Sequence, residues 1–430
     1  MRLSIIASHP IQYQAPFYRA LAAVPGMDLL VHYGFLPDAK AQGKGFGVEF
    51  SWDIPLLDGY RHEVFGFENA GAARAGAKPG AFGDAAHTGQ ERFSHQTQGG
   101  AGACPGLGNE APLGLKVAPF GPASAWIQST KLLFASLRTF RPDAILCTGW
   151  HHPVMYAGLA AAVLSGRPRI LRCEANTLRP RRLPARLFHR TMLDLYDAFL
   201  PIGIANREYY RTFGVRDDDM FGAPYFIDNA RFAEISGGAD RTALRTRWGI
   251  PPDAFCFLFS GKLENKKNPL LIVEAMRGLP GAHLLIAGSG ALEPRMRSLA
   301  ADLGVGCSFA GFLNQSEIPL AYAAADCLVL PSDAGETWGL VVNEAMACGR
   351  PAIVCDLVGC RQDLIEEDVT GTSFPFGDVG ALAECLRKMS AAPDLAIKMG
   401  RQARGHIRKF SIAQAQDGIL SAVRAVSQTS

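Results

Sequence analysis

Two glutamates eight residues apart, Glu336 and Glu344, flank Gly339-Leu340-Val341 just after the apolar run Asp326-Cys-Leu-Val-Leu-Pro-Ser332. The order of residue types predicts a strand that enters a polar loop, a helix that starts near Gly339, and a stop at Gly349 and Pro351. Glu336 then sits in the loop at the carboxyl edge of the strand, where open α/β sheets bind ligands, and Glu344 lies about one turn into the helix. The first helical amides, around Gly339, Leu340 and Val341, lack partners inside the helix and can donate to phosphate oxygens with the helix dipole behind them. A carboxylate at Glu344 can accept from a ribose diol, and one at Glu336 from sugar hydroxyls. Read alone, the same acids are equally compatible with a helix-starting acid and a solvated helix face.

A second polar turn follows another apolar run, in Phe259-Ser-Gly261-Lys262-Leu-Glu-Asn-Lys266-Lys267-Asn268-Pro269. Asn268 suits a helix cap and Pro269 a first helical position, which puts three lysines at a strand-to-helix turn. Such a turn can neutralise the charge of a departing diphosphate; it can also be a solvated surface loop. Ala287-Gly-Ser-Gly290 adds a tight turn at the same sheet edge, and no GxGxxG fingerprint follows the first strand, which argues against a nicotinamide-dependent enzyme.

The elements that must position these residues run through most of the chain. Short apolar runs alternate with helix-period segments, the pattern of βα units around parallel sheets. Strands are expected at 3–7, 28–32, 144–148, 169–173 and 198–202, then at 255–260, 283–287, 307–310, 326–331 and 352–355. In the helix expected from Glu293 to Leu303, Leu292, Met296, Leu299 and Leu303 share one face and Gly304 ends it. The whole chain has 430 residues, 48% hydrophobic and 19% charged, which suits two domains rather than one core. Residues 1–225 read as one Rossmann-like lobe and 226–410 as a second, with the join near Gly222–Phe232 and a new βα series after Trp248-Gly-Ile-Pro-Pro252. Residues 411–430 read as a final helix that crosses back to the first lobe, with Ser411 as its cap. From about 68 to 115 the sequence is rich in Gly and Ala, and Leu, Ile, Val and Met are absent from Glu68 to Gly106, so a disordered insertion is expected there.

Composition excludes several classes. With 43 basic and 40 acidic residues the formal charge is +3, which gives no general attraction to nucleic acid. The ten cysteines are scattered without CxxC or zinc-ligand spacing and read as reduced core thiols of a cytoplasmic protein. Met1–Pro10 reads as a first strand rather than a signal peptide, and no apolar stretch approaches the roughly 20 residues that span a bilayer. Asp217-Asp-Asp219 has the spacing of a metal-binding DxD motif, but it falls in a turn with no strand before it, so no metal is assigned to it.

Taken in order, the segments from 222 to 410 resemble the large retaining glycosyltransferase family whose members carry an E-x7-E signature, the family 4 group of GT-B enzymes. The resemblance rests on Gly261-Lys262-Leu with Lys267, Ala287-Gly-Ser-Gly290, Gly311-Phe-Leu, Ala325-Asp326, the Glu336/Glu344 pair around Gly339-Leu-Val, Ala347-Cys-Gly349-Arg-Pro351 and Gly359. It implies an α/β fold of two Rossmann-like parallel-sheet lobes facing across a cleft, with a nucleoside-diphosphate sugar as donor substrate and neither cofactor nor metal required. It also implies that Gly261, Lys262 and Lys267 grip the donor diphosphate, that Glu344 holds the ribose, and that Glu336 acts as the catalytic carboxylate at the anomeric carbon. Lys262 stands where the family has arginine and lacks its planar fork.

The first half matches less specifically. His9 and Gln12 lie at the carboxyl edge of the first strand, and His151 and His152 follow the strand at 144–148 near where the family places an acceptor-side histidine. His152, before proline, is the catalytic candidate of the two, with an extended loop residue as the alternative. Glu174, in Arg172-Cys-Glu-Ala-Asn176, is a further acceptor-side candidate. Between Arg167 and Arg190 there are eight arginines and one acid, interleaved with Leu183, Leu187 and Phe188. This run reads as a basic amphipathic helix, either solvated or touching an anionic membrane from its inner face. The expected activity is hexose transfer to a glycan or lipid-linked acceptor in cell-surface polysaccharide or lipopolysaccharide biosynthesis. The alternatives are a nucleotide-sugar epimerase or hydrolase on the same scaffold, or a non-catalytic nucleotide-sugar binder.

Overall fold

The computed structural model describes residues 1–66, 123–150 and 152–428. The insertion expected at 68–115 and the candidate His151 lie outside the described residues. Two six-stranded parallel sheets organise the chain. The first contains β1 (Arg2–Ala7), β2 (Asp28–Tyr33), β3 (Arg61–Val64), β4 (Ala144–Cys147), β5 (Arg169–Leu171) and β6 (Ala198–Phe199), in the order β3-β2-β1-β4-β5-β6. The second contains β7 (Phe255–Ser260), β8 (Ala282–Ala287), β9 (Cys307–Gly311), β10 (Cys327–Leu330), β11 (Ala352–Cys355) and β12 (Gly371–Phe374), in the order β12-β11-β10-β7-β8-β9.

The central strands are continuous apolar runs because helices cover both faces of a parallel sheet. Every residue of Phe255–Ser260, Cys327–Leu330 and Ala352–Cys355 is buried. The edge strands β3 and β12 were not among the ten expected from sequence. Arg61-His-Glu-Val64 is exposed throughout, and Gly371-Thr-Ser-Phe374 carries no apolar run, so neither has the pattern that identifies a buried strand. The helix Glu293–Leu303 forms as its periodicity requires, with Met296 buried and Gly304 left-handed at φ 65° as its stop.

Each lobe has its own core, and the first lobe has a further apolar cluster around Ile6, Ile145 and Leu171. Leu3, Ile5, Val31 and Leu146 belong to the first, and Phe257, Leu285, Val329 and Ile353 to the second. Between Ala223 and Phe232 the chain alternates between them: Ala223 and Phe226 pack in the first core, and Tyr225, Ile227 and Phe232 in the second. The helix Ile412–Gln428 then returns, placing Ala415, Ile419, Ala422 and Val423 in the first core. The Ser411 hydroxyl accepts from the Gln414 amide at 3.3 Å, as a cap should.

Candidate active site

In each sheet the strand order reverses at one point, and there the loops leaving adjacent strands diverge and open a crevice. In the second sheet this point lies between β7 and β10. The loop after β7 holds the lysines, and the loop after β10 holds Glu336. They are stitched together where the Asp333 amide donates to the Lys266 carbonyl at 2.9 Å. The Lys267 ammonium donates to the Glu336 carboxylate, and both side chains are largely withdrawn from solvent. Asn268 does not cap the following helix, contrary to its sequence signal. A 3-10 turn over Asn265–Lys267 takes Asn268 into the left-handed region at φ 49°, and the helix Leu270–Ala275 begins from Pro269.

Gly339 precedes the helix Leu340–Ala347 at φ 103°, and a Cβ there would lie 2.9 Å from Leu330 Cδ2. Only glycine fits this corner. One turn on, the Glu344 carboxylate accepts from the Tyr322 hydroxyl at 2.7 Å. Burial pushes the Glu344 pKa up from 4.5 to about 7, partly offset by the Tyr322 hydrogen bond and by the charges of Arg231 and Lys267.

These groups line one cavity of about 280 Å³. Lys267, Glu336, the Gly339-Leu340-Val341 helix start and Glu344 enclose it from the second lobe, and Gln12 and Glu174 from the first. Glu174 bridges the lobes: its carboxylate accepts from the Tyr225 hydroxyl and, at 2.9 Å, from the Thr337 hydroxyl. Beside it the Asn176 amide donates to the Thr337 carbonyl at 3.2 Å. A further lobe contact lies at Asp363, whose carboxylate accepts from the Ile204 amide at 3.0 Å and whose pKa burial raises to about 6.

Other residues singled out from the sequence stand elsewhere. Gly261 and Lys262 are absent from the cavity lining. The Lys262 ammonium instead donates to the Lys44 carbonyl at 3.0 Å and lies 5.1 Å from the Phe46 ring centre. His9 and His152 also fall outside this lining, and Phe35 lies between them with ring centres 5.2 and 5.0 Å away. His152 caps the helix Pro153–Leu164, its ring accepting from the Val154 amide at 3.3 Å. Asp217–Asp219 form a 3-10 turn in which Asp217 pairs with Arg211 at 2.9 Å and Asp218 with Arg216 at 3.1 Å. Among the described residues no group of three or more His, Cys, Asp or Glu is placed to hold a metal.

Tyr13, Tyr225, Arg231 and Tyr322 escaped the sequence reading. With its proton given to Glu174, the Tyr225 hydroxyl accepts from that of Tyr13 at 2.7 Å, and both residues line the cavity. Arg231 also lines it, held by Gln315 through the backbone carbonyl at 2.5 Å and the side-chain oxygen at 2.7 Å. Tyr225 and Arg231 lie in the segment read only as a lobe junction, where an arginine between two apolar anchors was the available signal.

The fold and cleft define a two-lobed protein of the GT-B type. Over 100% of both chains it is similar to sucrose-phosphate synthase from Thermosynechococcus elongatus, at a TM-score of 0.69 and 17% identity. Over 99% of this chain and 100% of the other it is similar to Anabaena Alr3699/HepE, solved in complex with UDP and glucose, at 0.67 and 16%. Within this frame, residues 240–406 match the family model described as "Glycosyl transferases group 1". A D-inositol 3-phosphate glycosyltransferase from Saccharomonospora viridis is 32% identical over 213 residues, 46% of this chain and 48% of that relative. The chain thus spans about half the length of the curated relatives it matches.

Proposed function

We propose that the chain is a retaining glycosyltransferase that moves a hexose from a nucleoside-diphosphate sugar to a glycan or lipid-linked acceptor in cell-surface polysaccharide or lipopolysaccharide biosynthesis. The observation that carries this reading is that Lys267, Glu336, Glu344 and the Gly339–Val341 helix start line one cavity, closed from the other lobe by Gln12 and Glu174. The amides at the helix start and the Lys267 ammonium hold the diphosphate and offset its charge as the bond to the sugar breaks. Glu344, as a carboxylate, accepts from the ribose hydroxyls. Glu336 faces the transferred sugar, and its negative charge favours the cationic character that develops at the anomeric carbon. The acceptor hydroxyl attacks from the face the diphosphate leaves, and a phosphate oxygen takes its proton, so configuration is kept without a protein base.

Glu174 and Gln12 lie where an acceptor must enter. UDP-sugars are the donors to test first, since a protein of the same fold was solved with UDP. The helix Leu183–Leu193 exposes Leu183, Leu187 and Phe188 among arginines, and we assign it to peripheral contact with an anionic membrane on the cytoplasmic side.

The test is a panel of nucleotide sugars and acceptors with release of nucleoside diphosphate as the readout. Acceptor-dependent release that Glu336→Ala and Lys267→Ala abolish is expected. Turnover indifferent to acceptor favours an epimerase or hydrolase, and donor binding without turnover favours a binding protein.

A further inference from the structure

Residues 44–53 leave the first lobe and lie across the second. Six hydrogen bonds fasten them: Lys262 Nζ to the Lys44 carbonyl at 3.0 Å, Ser289 Oγ to the Phe46 carbonyl at 2.6 Å, Asn314 Nδ2 to the Ser51 carbonyl at 2.8 Å, the Asp53 amide to Asn314 Oδ1 at 3.4 Å, and the Ser316 amide, at 3.1 Å, and hydroxyl to Asp53 Oδ2. Apolar contact centres on Phe312, whose ring lies 4.1 Å from that of Phe50 and 4.9 Å from that of Phe46, centre to centre. The strap therefore grips the turn after β7 and the loops after β8 and β9, which follow it on one side of the sheet.

The attachment is uneven. Gly45 and Gly47, at φ 90° and 72°, flank Phe46, and a Cβ on Gly45 would come within 3.0 Å of the Lys262 ammonium. Residues 45–48 and residues 289–297 line a cavity of about 700 Å³, bridged at one point by the Ser289–Phe46 hydrogen bond. The far end carries the shorter ring contact, Phe50 on Phe312, together with the hydrogen bonds of Ser51 and Asp53, whereas Gly45, Gly47 and Val48 are exposed. Among the described residues Lys262 forms no ion pair; its ammonium, half-buried and depressed in pKa by that burial, is satisfied by a neutral carbonyl and a ring face.

We propose that residues 44–53 are a latch with Lys262 as its catch, and that a nucleoside diphosphate releases it by taking the Lys262 ammonium. This rests on the donor reading of the cavity. A diphosphate is a stronger partner for an ammonium than a carbonyl and a ring face. Once Lys262 turns to it, the glycine-flanked stretch at 45–48 keeps only the Ser289 hydrogen bond and the Phe46–Phe312 contact. Phe50 and Asp53 are then positioning residues: they act on the donor through Lys262 and touch neither donor nor acceptor. While the latch is closed, the nucleotide sees only the fraction of molecules in which it is open, so apparent affinity is lowered by that fraction.

The experiment uses the full chain, trypsin cleavage at the Lys44–Gly45 bond, and calorimetry with UDP and GDP on the wild type, Phe50→Ala and Asp53→Ala. Asp53 is exposed, so that variant keeps the test valid if Phe50→Ala fails to fold. The latch requires that a bound nucleotide speeds cleavage of the wild type. It also requires that both variants are cleaved faster without nucleotide and bind it more tightly, by about tenfold, the factor that corresponds to losing an aromatic pair or a hydrogen bond. In turnover the donor KM falls with kcat little changed, a split that simple structural damage does not produce. Nucleotide binding that protects Lys44, or that the variants weaken, overturns the latch and leaves the donor site standing. Failure of UDP and GDP to bind any of the three proteins overturns the donor reading, and with it nucleotide release of the strap.

Discussion

The two reversal points of strand order treat their residues differently. In the second sheet both loops that leave the reversal, after β7 and after β10, reach the cavity with their charged groups, and the Asp333–Lys266 and Lys267–Glu336 contacts fix them to each other. In the first sheet the loop after β1 reaches it with Gln12 and Tyr13, no described residue of the loop after β4 does, and the loop after β5 supplies Glu174. The paired charges of the cavity, Lys267 and Glu336, therefore sit inside one lobe. The other lobe's contribution depends on its approach to the first, through Glu174 and Thr337.

The sharpest break of this comparison comes from Glu336→Gln and Lys267→Ala. Each is expected to lower kcat by about 10²–10³, the usual loss when one preorganised electrostatic contact is removed, whereas His152→Ala is expected to change it less than tenfold. Equal losses for His152 and Glu336, in steady-state kinetics with saturating donor, would invert the assignment.

Glu344→Gln comes next, with nucleotide affinity about tenfold weaker at pH 8, near the upper range for hydrogen bonds to a charged group. The wild-type carboxyl titrates near 7, so the difference between the two proteins opens as pH rises through 7 and closes below about 6. Folding moves the other way. The folded carboxyl holds its proton between the ordinary 4.5 and about 7, so its contribution to stability falls over that window as pH rises and is flat above it. Calorimetric titrations and denaturant melts across pH 5–8 check both signs.

Glu174→Gln is expected to raise the acceptor KM by about fivefold while the donor KM stays within about twofold, since it weakens charge-assisted hydrogen bonds, including the one to Thr337, but leaves Lys267, Glu336 and Glu344 in place. An equal rise in both would erase the division between the lobes. His152→Ala is the mildest, a loss of about 1 kcal/mol in stability from the missing helix cap, read as a shift in the denaturation midpoint.

What the sequence disclosed follows the same division. β7, β10 and β11 are legible because burial on both faces leaves continuous apolar runs, and the loops that follow inherit their position at the sheet edge. Lys267, Glu336 and Glu344 come together within that single lobe, so local order sufficed to place them. Lys262 could not be placed in this way, because its partner Lys44 lies 218 residues away and belongs to the other lobe. Tyr225 and Arg231 gain their places only through the alternation of the chain between the two cores, which carries no periodic signal. The edge strand β3 stayed hidden because its residues face solvent, and β12 because Gly371-Thr-Ser-Phe374 is too short of apolar residues to read as a strand although Phe374 reaches the core.

The helix Ile412–Gln428 has a consequence for synthesis. The ribosome delivers β1 first, yet the wall that Ala415, Ile419 and Val423 form against the first core emerges only after the whole second lobe has been made. Domains generally complete themselves in order of translation. Here the later-made lobe can close on its own while the earlier one waits with an apolar flank uncovered, which marks nascent chains paused before residue 412 as the ones that need chaperone protection.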